Sequence, residues 1–275
     1  MNAPNFAARR AAFRNLHESG CFLIPNPWDS GSAHALEKLG FKALATTSSG
    51  FAWSRARPDN AMDVEAVLAH CREIVEATGL PVNADFEDGH ARDIEGMKKN
   101  VRRCIETGVA GLSIEDATGD ASQPLYELDE AVARIRAARE AIEASGEDVM
   151  LIGRAECFLT GHADPLDESL RRLKAYSQAG ADCLYAPGAR SRQQITAIVQ
   201  AVAPKPVNVL VGSPTEFTLA DLAALGVRRV SVGSALAGAA WGGFLRAARG
   251  LAEGRFDGFA HNATYPELNN LFAKP

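Results

Sequence analysis

One pattern recurs along the chain: an amphipathic helix, a turn containing glycine, then a short apolar run. It is seen in "ALEKLGFKALATTSSG", "IVEATGLPVNADFEDG", "CIETGVAGLSIED", "YSQAGADCLYAPG" and "LAALGVRRVSVGS". A glycine just past a helix end takes the left-handed conformation at least cost. The residues that follow are rich in Val, Ile, Leu and Ala, as in strands buried on both faces. Eight strands are expected, starting near Phe22, Ala43, Pro81, Gly111, Val149, Cys183, Pro206 and Arg229, each followed by a helical pattern. Eight such units in 275 residues is the arithmetic of an α/β fold of the (β/α)8 barrel type. A doubly wound sheet seldom carries eight evenly spaced units, and no GxGxxG follows the first strand. No Pro/Gly/Ser-rich linker divides the chain. Residues 1–275 therefore read as one barrel domain with an N-terminal helix and a C-terminal tail. The opening "MNAPNFAARRAAFRNLHESG" contains Glu18 and runs straight into the first strand, which favours an ordinary helix over a transit peptide.

Composition excludes some functions. A net charge of −5 leaves no electrostatic footprint for nucleic acid or an anionic membrane. The longest apolar stretch, "ALAGAAWGGFL", is too short to span a bilayer and reads as a packed helix. Five cysteines, at 21, 71, 104, 157 and 183, form no CxxC pair, so a reducing compartment, the cytoplasm, is expected.

In barrels of this type the chemistry gathers where strands end. Strand three ends in "ADFED", strand four in "SIED" and strand five in "GRAE". Side chains alternate along a strand, which pairs Asp85 with Glu87, Ser113 with Glu115, and Arg154 with Glu156. Asp85, Glu87 and Glu115 would bring three carboxylates together, a hard-oxygen set suited to Mg²⁺ or Mn²⁺. Arg154, one strand on, could hold an anionic substrate that bridges to the ion. Asp88 and Asp116 read as caps or loop charges. No lysine closes a strand, so a Schiff-base mechanism lacks its nucleophile. His90 and His162 read as solvated loop residues, and Cys157 as a core cysteine.

In that order and spacing, "GFKALATTSSGFAWS", "RPD", "NADFEDG", "GLSIED" and "GRAE" resemble the strand ends of the isocitrate lyase / phosphoenolpyruvate mutase superfamily. The resemblance implies that Ser49, Gly50 and Phe51 hold a substrate carboxylate through backbone N–H groups, with Thr47 just before them. It implies Asp85, Glu87 and Glu115 around Mg²⁺ (or Mn²⁺), directly or through water, and Asp59 as a supporting acid. Arg154 would pair with the substrate, and Asn208 would match an asparagine ending strand seven. Glu115, Arg154 and Glu156 are the catalytic candidates. The family's shared step is an enolate of a 2-oxo acid, stabilised by the metal and an arginine.

The sequence departs from the family in the loop after strand four. Isocitrate-cleaving members carry KKCGH there, and the mutases carry Lys and Asn; this chain has "EDATGDASQPLYELDE". What remains is the enolate core without an assigned proton donor, for which Glu156, Tyr185, His90 and a loop water are candidates. The expected activity is a Mg²⁺-dependent C–C lyase or decarboxylase. Its substrate would be a small 2-oxo or 2-hydroxy di- or tricarboxylic acid, cleaved in the manner of oxaloacetate decarboxylase or methylisocitrate lyase. The alternatives are a P–C mutase or hydrolase of phosphonopyruvate or phosphoenolpyruvate type, and a non-catalytic oxo-acid-binding barrel. The resemblance also implies a homo-oligomer, a dimer of dimers, with the last barrel helix, in "GSALAGAAWGGFLRAARG", exchanged between subunits.

Overall fold

The structure, a computed structural model, describes residues 5–273. A helix α1 (Phe6–Leu16) precedes β1 (Phe22–Ile24), α2 (Ser30–Lys38), β2 (Leu44–Ala45), α3 (Ser48–Ser54) and α4 (Val64–Ala77). There follow β3 (Val82–Asp85), α5 (Ile94–Glu106), β4 (Gly111–Glu115), α6 (Leu128–Ser145), β5 (Met150–Arg154) and α7 (Pro165–Gln178). The chain continues through β6 (Cys183–Tyr185), α8 (Arg192–Val202), β7 (Val207–Leu210), α9 (Leu219–Ala224), β8 (Arg229–Ser231), α10 (Ala235–Ala252) and α11 (Tyr265–Phe272). Each strand begins within one residue of the position expected from the repeat.

All neighbouring strands pair in parallel, in the order β1-β8-β7-β6-β5-β4-β3-β2. At the remaining seam the Ala45 N–H donates to the Pro25 carbonyl at 3.1 Å, so the sheet curls into a (β/α)8 barrel. Alternation sorts the side chains. On β4, Leu112 and Ile114 face the helices and join the outer core, whereas Ser113 and Glu115 face the interior. The inner layer contains Ile24, Ala45, Met150, Ile152, Cys183 and Tyr185.

α1 closes the floor of the barrel. Its Phe13 is fully buried in the inner cluster, worth roughly 1.5–3 kcal/mol of apolar burial. The Arg10 guanidinium donates to the Val109 carbonyl at 3.1 Å and the Ile105 carbonyl at 3.2 Å, fixing the helix under β4. His17 is edge-on to Phe13 and Phe22 at 4.8 and 5.0 Å.

α10 differs from the expectation of a packed helix. Only Ala237 and Gly250 of its residues are buried, while Trp241, Leu245 and Leu251 are exposed and Phe244 is 60% exposed. It projects from the barrel, and α11 folds back on α2, where Phe272 meets His34 at 6.1 Å. Among the described residues no helix is long and apolar enough to cross a membrane.

Burial lowers the pKa of His17 to about 3 and that of His70 to about 4, so both stay neutral in the folded state. The unfolded chain takes up protons at these histidines near pH 6.5, so their own contribution to stability falls as pH drops from there toward those values, opposite in sign to that of the buried acids. Between pH 6.5 and 5 each histidine contributes about 2 kcal/mol of this loss. In urea unfolding at the two pH values, His17→Asn with His70→Asn is expected to remove this contribution, so that the difference in stability between pH 6.5 and 5 changes relative to wild type. An unchanged pH dependence in the double variant contradicts the assignment.

Candidate active site

Three consecutive strands end in acids and one arginine. Asp85 closes β3, Glu115 closes β4 and Arg154 closes β5, and strand pairing sets Glu115 beside Arg154. Arg154 Nη1 lies 3.1 Å from Asp85 Oδ1 and 2.9 Å from Glu115 Oε2, and Nε donates to Glu156. Nη2 has no hydrogen-bond partner among the described residues. The guanidinium also lies 5.4 Å over the ring of Tyr185 on β6. Asp85, Arg154 and Tyr185 border a cavity of about 230 Å³ that Thr47, Ser48 and Ser49 line from the side of β2, while Glu115 and Glu156 border a neighbouring one.

The acids outnumber the cation. Burial pushes Glu115 well above the usual carboxylate range against the pull of Arg154, and Glu156, Asp85 and Glu87 add repulsion. Glu87 is raised to about 8, first by burial, then by Asp85, Asp59 and Asp88. Glu156 is raised by burial, with Arg154 pulling the other way. Asp59 sits on the exposed rim but turns its carboxyl toward Ser48, Asp85 and Arg154, and desolvation raises it. Surplus negative charge on hard oxygen donors is the chemistry of a divalent-cation site. Among the described residues, however, no three His, Cys, Asp or Glu side chains converge to enclose an ion by themselves.

Neighbouring residues fix these positions. The Asp85 N–H donates to Thr46 Oγ1 at 2.8 Å, and its Oδ2 accepts the Ser48 N–H at 3.0 Å. Asp116, expected as a cap or loop charge, is instead a buried hub. Its Oδ1 accepts the Glu156 N–H at 2.8 Å, while Oδ2 accepts Tyr176 at 2.6 Å and Arg172 at 3.0 Å. It thus ties the end of β5 to α7, because a buried acid persists only with such partners. Asp88 is a loop acid held by Tyr126 at 2.8 Å and the His90 N–H at 2.9 Å.

Other expectations change in detail. The strand stops at Asp85, so alternation does not place Glu87, which stands in a turn at φ +44° beside His90. Thr47 caps α3: its Oγ1 accepts the Gly50 N–H at 3.3 Å and its carbonyl the Phe51 N–H at 3.0 Å. Two of the three backbone donors expected for a carboxylate are therefore used within the chain, and Ser49 is left. Gly50 is required by close approach, since a Cβ there would lie 2.6 Å from Thr47 Cγ2. Phe51 stacks on His70 at 3.9 Å, behind the cavity wall. Asn208 is buried beneath the cavity, bonded to Ser231 and Arg229. Of the proton-donor candidates, Tyr185 lines the cavity, and burial pushes it to about 12. His90 borders a separate outer groove. Cys157 is fully buried, and burial raises its thiol to about 11, which suits a core residue.

The loop after β4 closes on itself through an antiparallel bridge between Ala117 and Leu125. Sequence reasoning passed over Thr46, Ser48, Asn83 and Arg229. The signal was present: a polar residue two positions before a strand-end acid or serine shares its inward face.

The family model described as phosphoenolpyruvate phosphomutase matches residues 13–252. The chain belongs to this family. As a member of the phosphoenolpyruvate mutase / isocitrate lyase superfamily, it is an enzyme of the carbon–carbon lyase and mutase group. A relative, oxaloacetate decarboxylase of Rhodopseudomonas palustris (strain BisB5), is 32% identical over 261 residues, covering 90% of this chain and 86% of its own. A crystal structure from Burkholderia cenocepacia J2315, described provisionally as a lyase/mutase, superposes with a TM-score of 0.94 at 46% identity over 98% of both chains. Oxaloacetate acetylhydrolase with its product oxalate superposes with a TM-score of 0.85 at 26% identity, over 98% of this phosphomutase-family chain and 95% of its own.

Proposed function

We propose that this protein is a divalent-metal-dependent C–C lyase acting on a small 2-oxo or 2-hydroxy di- or tricarboxylic acid, with decarboxylation of oxaloacetate as the leading reaction. The observation that carries this reading is Arg154, held by acids from three successive strand ends at the edge of a small cavity with its Nη2 uncommitted. The relatives that decarboxylate or hydrolyse oxaloacetate support the substrate class. Asp85, with Glu87 and Glu115 directly or through water, would hold Mg²⁺ or Mn²⁺, and the surplus of carboxylates fits such an ion. When bound, the ion would act as a Lewis acid toward negative charge developing on the 2-oxo oxygen.

The chain's own groups supply the rest. Ser49 and the hydroxyls of Thr47 and Ser48 receive the carboxylate next to the oxo carbon. Arg154 Nη2 donates to the oxygen that gains charge, and Glu115 and Glu156 keep the guanidinium in place. Breaking the C3–C4 bond releases CO₂ and leaves its electron pair in the enolate. The Tyr185 hydroxyl, kept protonated by burial, then delivers a proton to C3. A decarboxylase needs no further acid, which agrees with a β4 loop that has neither Cys, His nor Lys.

We further propose a homo-oligomer, a dimer of dimers joined by exchange of α10. The support is the apolar surface that α10 exposes through Trp241, Phe244, Leu245 and Leu251. The dispersed free cysteines support a cytoplasmic location.

Two measurements test these readings. Purified protein is offered oxaloacetate, methylisocitrate and phosphonopyruvate with Mg²⁺ or with EDTA, while pyruvate and CO₂ are followed. Magnesium-dependent release from oxaloacetate is expected, with kcat lowered on the order of 10²–10³-fold in Arg154→Gln and Asp85→Asn, and about 10²-fold in Tyr185→Phe. EDTA-insensitive turnover, exclusive use of the phosphonate, or binding without turnover overturns it. Light scattering of the eluted protein is expected to give a tetramer that Phe244→Glu with Leu245→Glu breaks apart. A monomeric wild type contradicts the assembly.

A further inference from the structure

Arg229 is the least expected residue of the barrel interior. It lies on β8 in register with Asn208 on β7 and Phe22 on β1. Its neighbour Val230 joins the outer core, so Arg229 and Ser231 face inward. The residue is 3% exposed. Its Nε donates to Asn208 Oδ1 at 2.9 Å and its Nη1 to Asn83 Oδ1 at 3.4 Å. Both acceptors are neutral amides. Each is turned by its own NH₂ group, Asn208 toward Ser231 Oγ at 2.9 Å and Asn83 toward the Ala84 carbonyl at 3.0 Å, so that the oxygens meet the guanidinium.

Every other buried arginine holds a carboxylate. Arg10 pairs with Glu147, Arg134 with Asp88, and Arg172 with Asp116 and Glu168. Arg229 has no carboxylate partner among the described residues. Below it, His17 is held neutral and supplies no counter-charge. A guanidinium buried without an anion is costly, and an anion arriving from outside would offset that cost. Arg229 borders the same cavity of about 230 Å³ as Arg154, Ser48 and Ser49, which is the route by which an anion can reach it.

We infer that Arg229 is a substrate-binding residue that receives the second carboxylate of a small diacid, making the enzyme selective for 2-oxo and 2-hydroxy dicarboxylates over monocarboxylates. This rests on reading the cavity as the substrate site. Asn83 and Asn208 act as positioning residues that orient the guanidinium through neutral oxygens and leave its charge uncancelled. Arg154, already shared among three acids, has less net charge to offer.

The test is a binding measurement, independent of turnover. Calorimetric titration in magnesium-containing buffer compares malate with 2-hydroxybutyrate, which has a methyl group in place of the second carboxylate. Wild type is expected to bind malate about ten- to hundredfold more tightly, the range of a charge-assisted contact. Arg229→Met is expected to lose that preference while its affinity for 2-hydroxybutyrate stays the same, and Arg229→Lys to keep part of it. A merely structural arginine would weaken both ligands equally, and that outcome overturns the inference. So does a wild type with no preference for malate, whether or not Arg229→Met folds. If wild type prefers malate but does not decarboxylate oxaloacetate, the proposed reaction fails and the diacid site stands.

Discussion

The site turns on one imbalance: a single guanidinium, Arg154, set among Asp85, Glu115 and Glu156, with Glu87 close by. In the low-dielectric mouth of a barrel such charges interact far more strongly than in water. The surrounding structure serves to hold them there. Thr46, just after β2, and Ser48, opening α3, clamp Asp85, and pairing of β4 with β5 sets Glu115 against Arg154. Asp116, anchored by Arg172 and Tyr176 on α7, fixes the backbone that carries Glu156.

Much of this was legible in the sequence because two periodicities are rigid. The helix–turn–strand repeat located all eight strands, with a glycine in every turn but the one before β7, where Pro204 and Pro206 stand instead. The period of two placed Glu115 inward, and the strand ends marked Asp85 and Arg154. Reasoning by period failed where the strand ended. Glu87 stands in a left-handed turn, so its direction follows from the turn and not from alternation. Gly50 and Phe51 lie in the first turn of α3, where the N–H groups are taken up by Thr47. Asp116 looked like any loop acid because its partners, Arg172 and Tyr176, come from a helix more than fifty residues away. Arg229 was masked by Arg228 in "VRRVS": of the two adjacent arginines, it is the one that shares the inward face of Ser231.

The cavity has two unlike cationic ends. Arg154 is shared among acids and suits an oxygen whose charge grows during reaction, whereas Arg229, set among neutral amides, keeps its charge uncancelled for the second carboxylate of the bound diacid. This division of labour fits a diacid, with the oxo oxygen at Arg154 and the second carboxylate at Arg229. The short, self-bridged loop after β4 adds no Cys, His or Lys, which fits chemistry kept within the barrel.

The role proposed for the acids around Arg154 is to share a divalent cation. Thermal unfolding with and without MgCl₂, against NaCl of equal ionic strength, tests it most directly. Binding to the folded state alone adds about 2.7 kcal/mol at a hundredfold excess over Kd, so the unfolding temperature of the wild type should rise by several degrees. Asp85→Asn should show no such rise. A wild type indifferent to magnesium, or an Asp85→Asn variant that responds equally, would contradict the account.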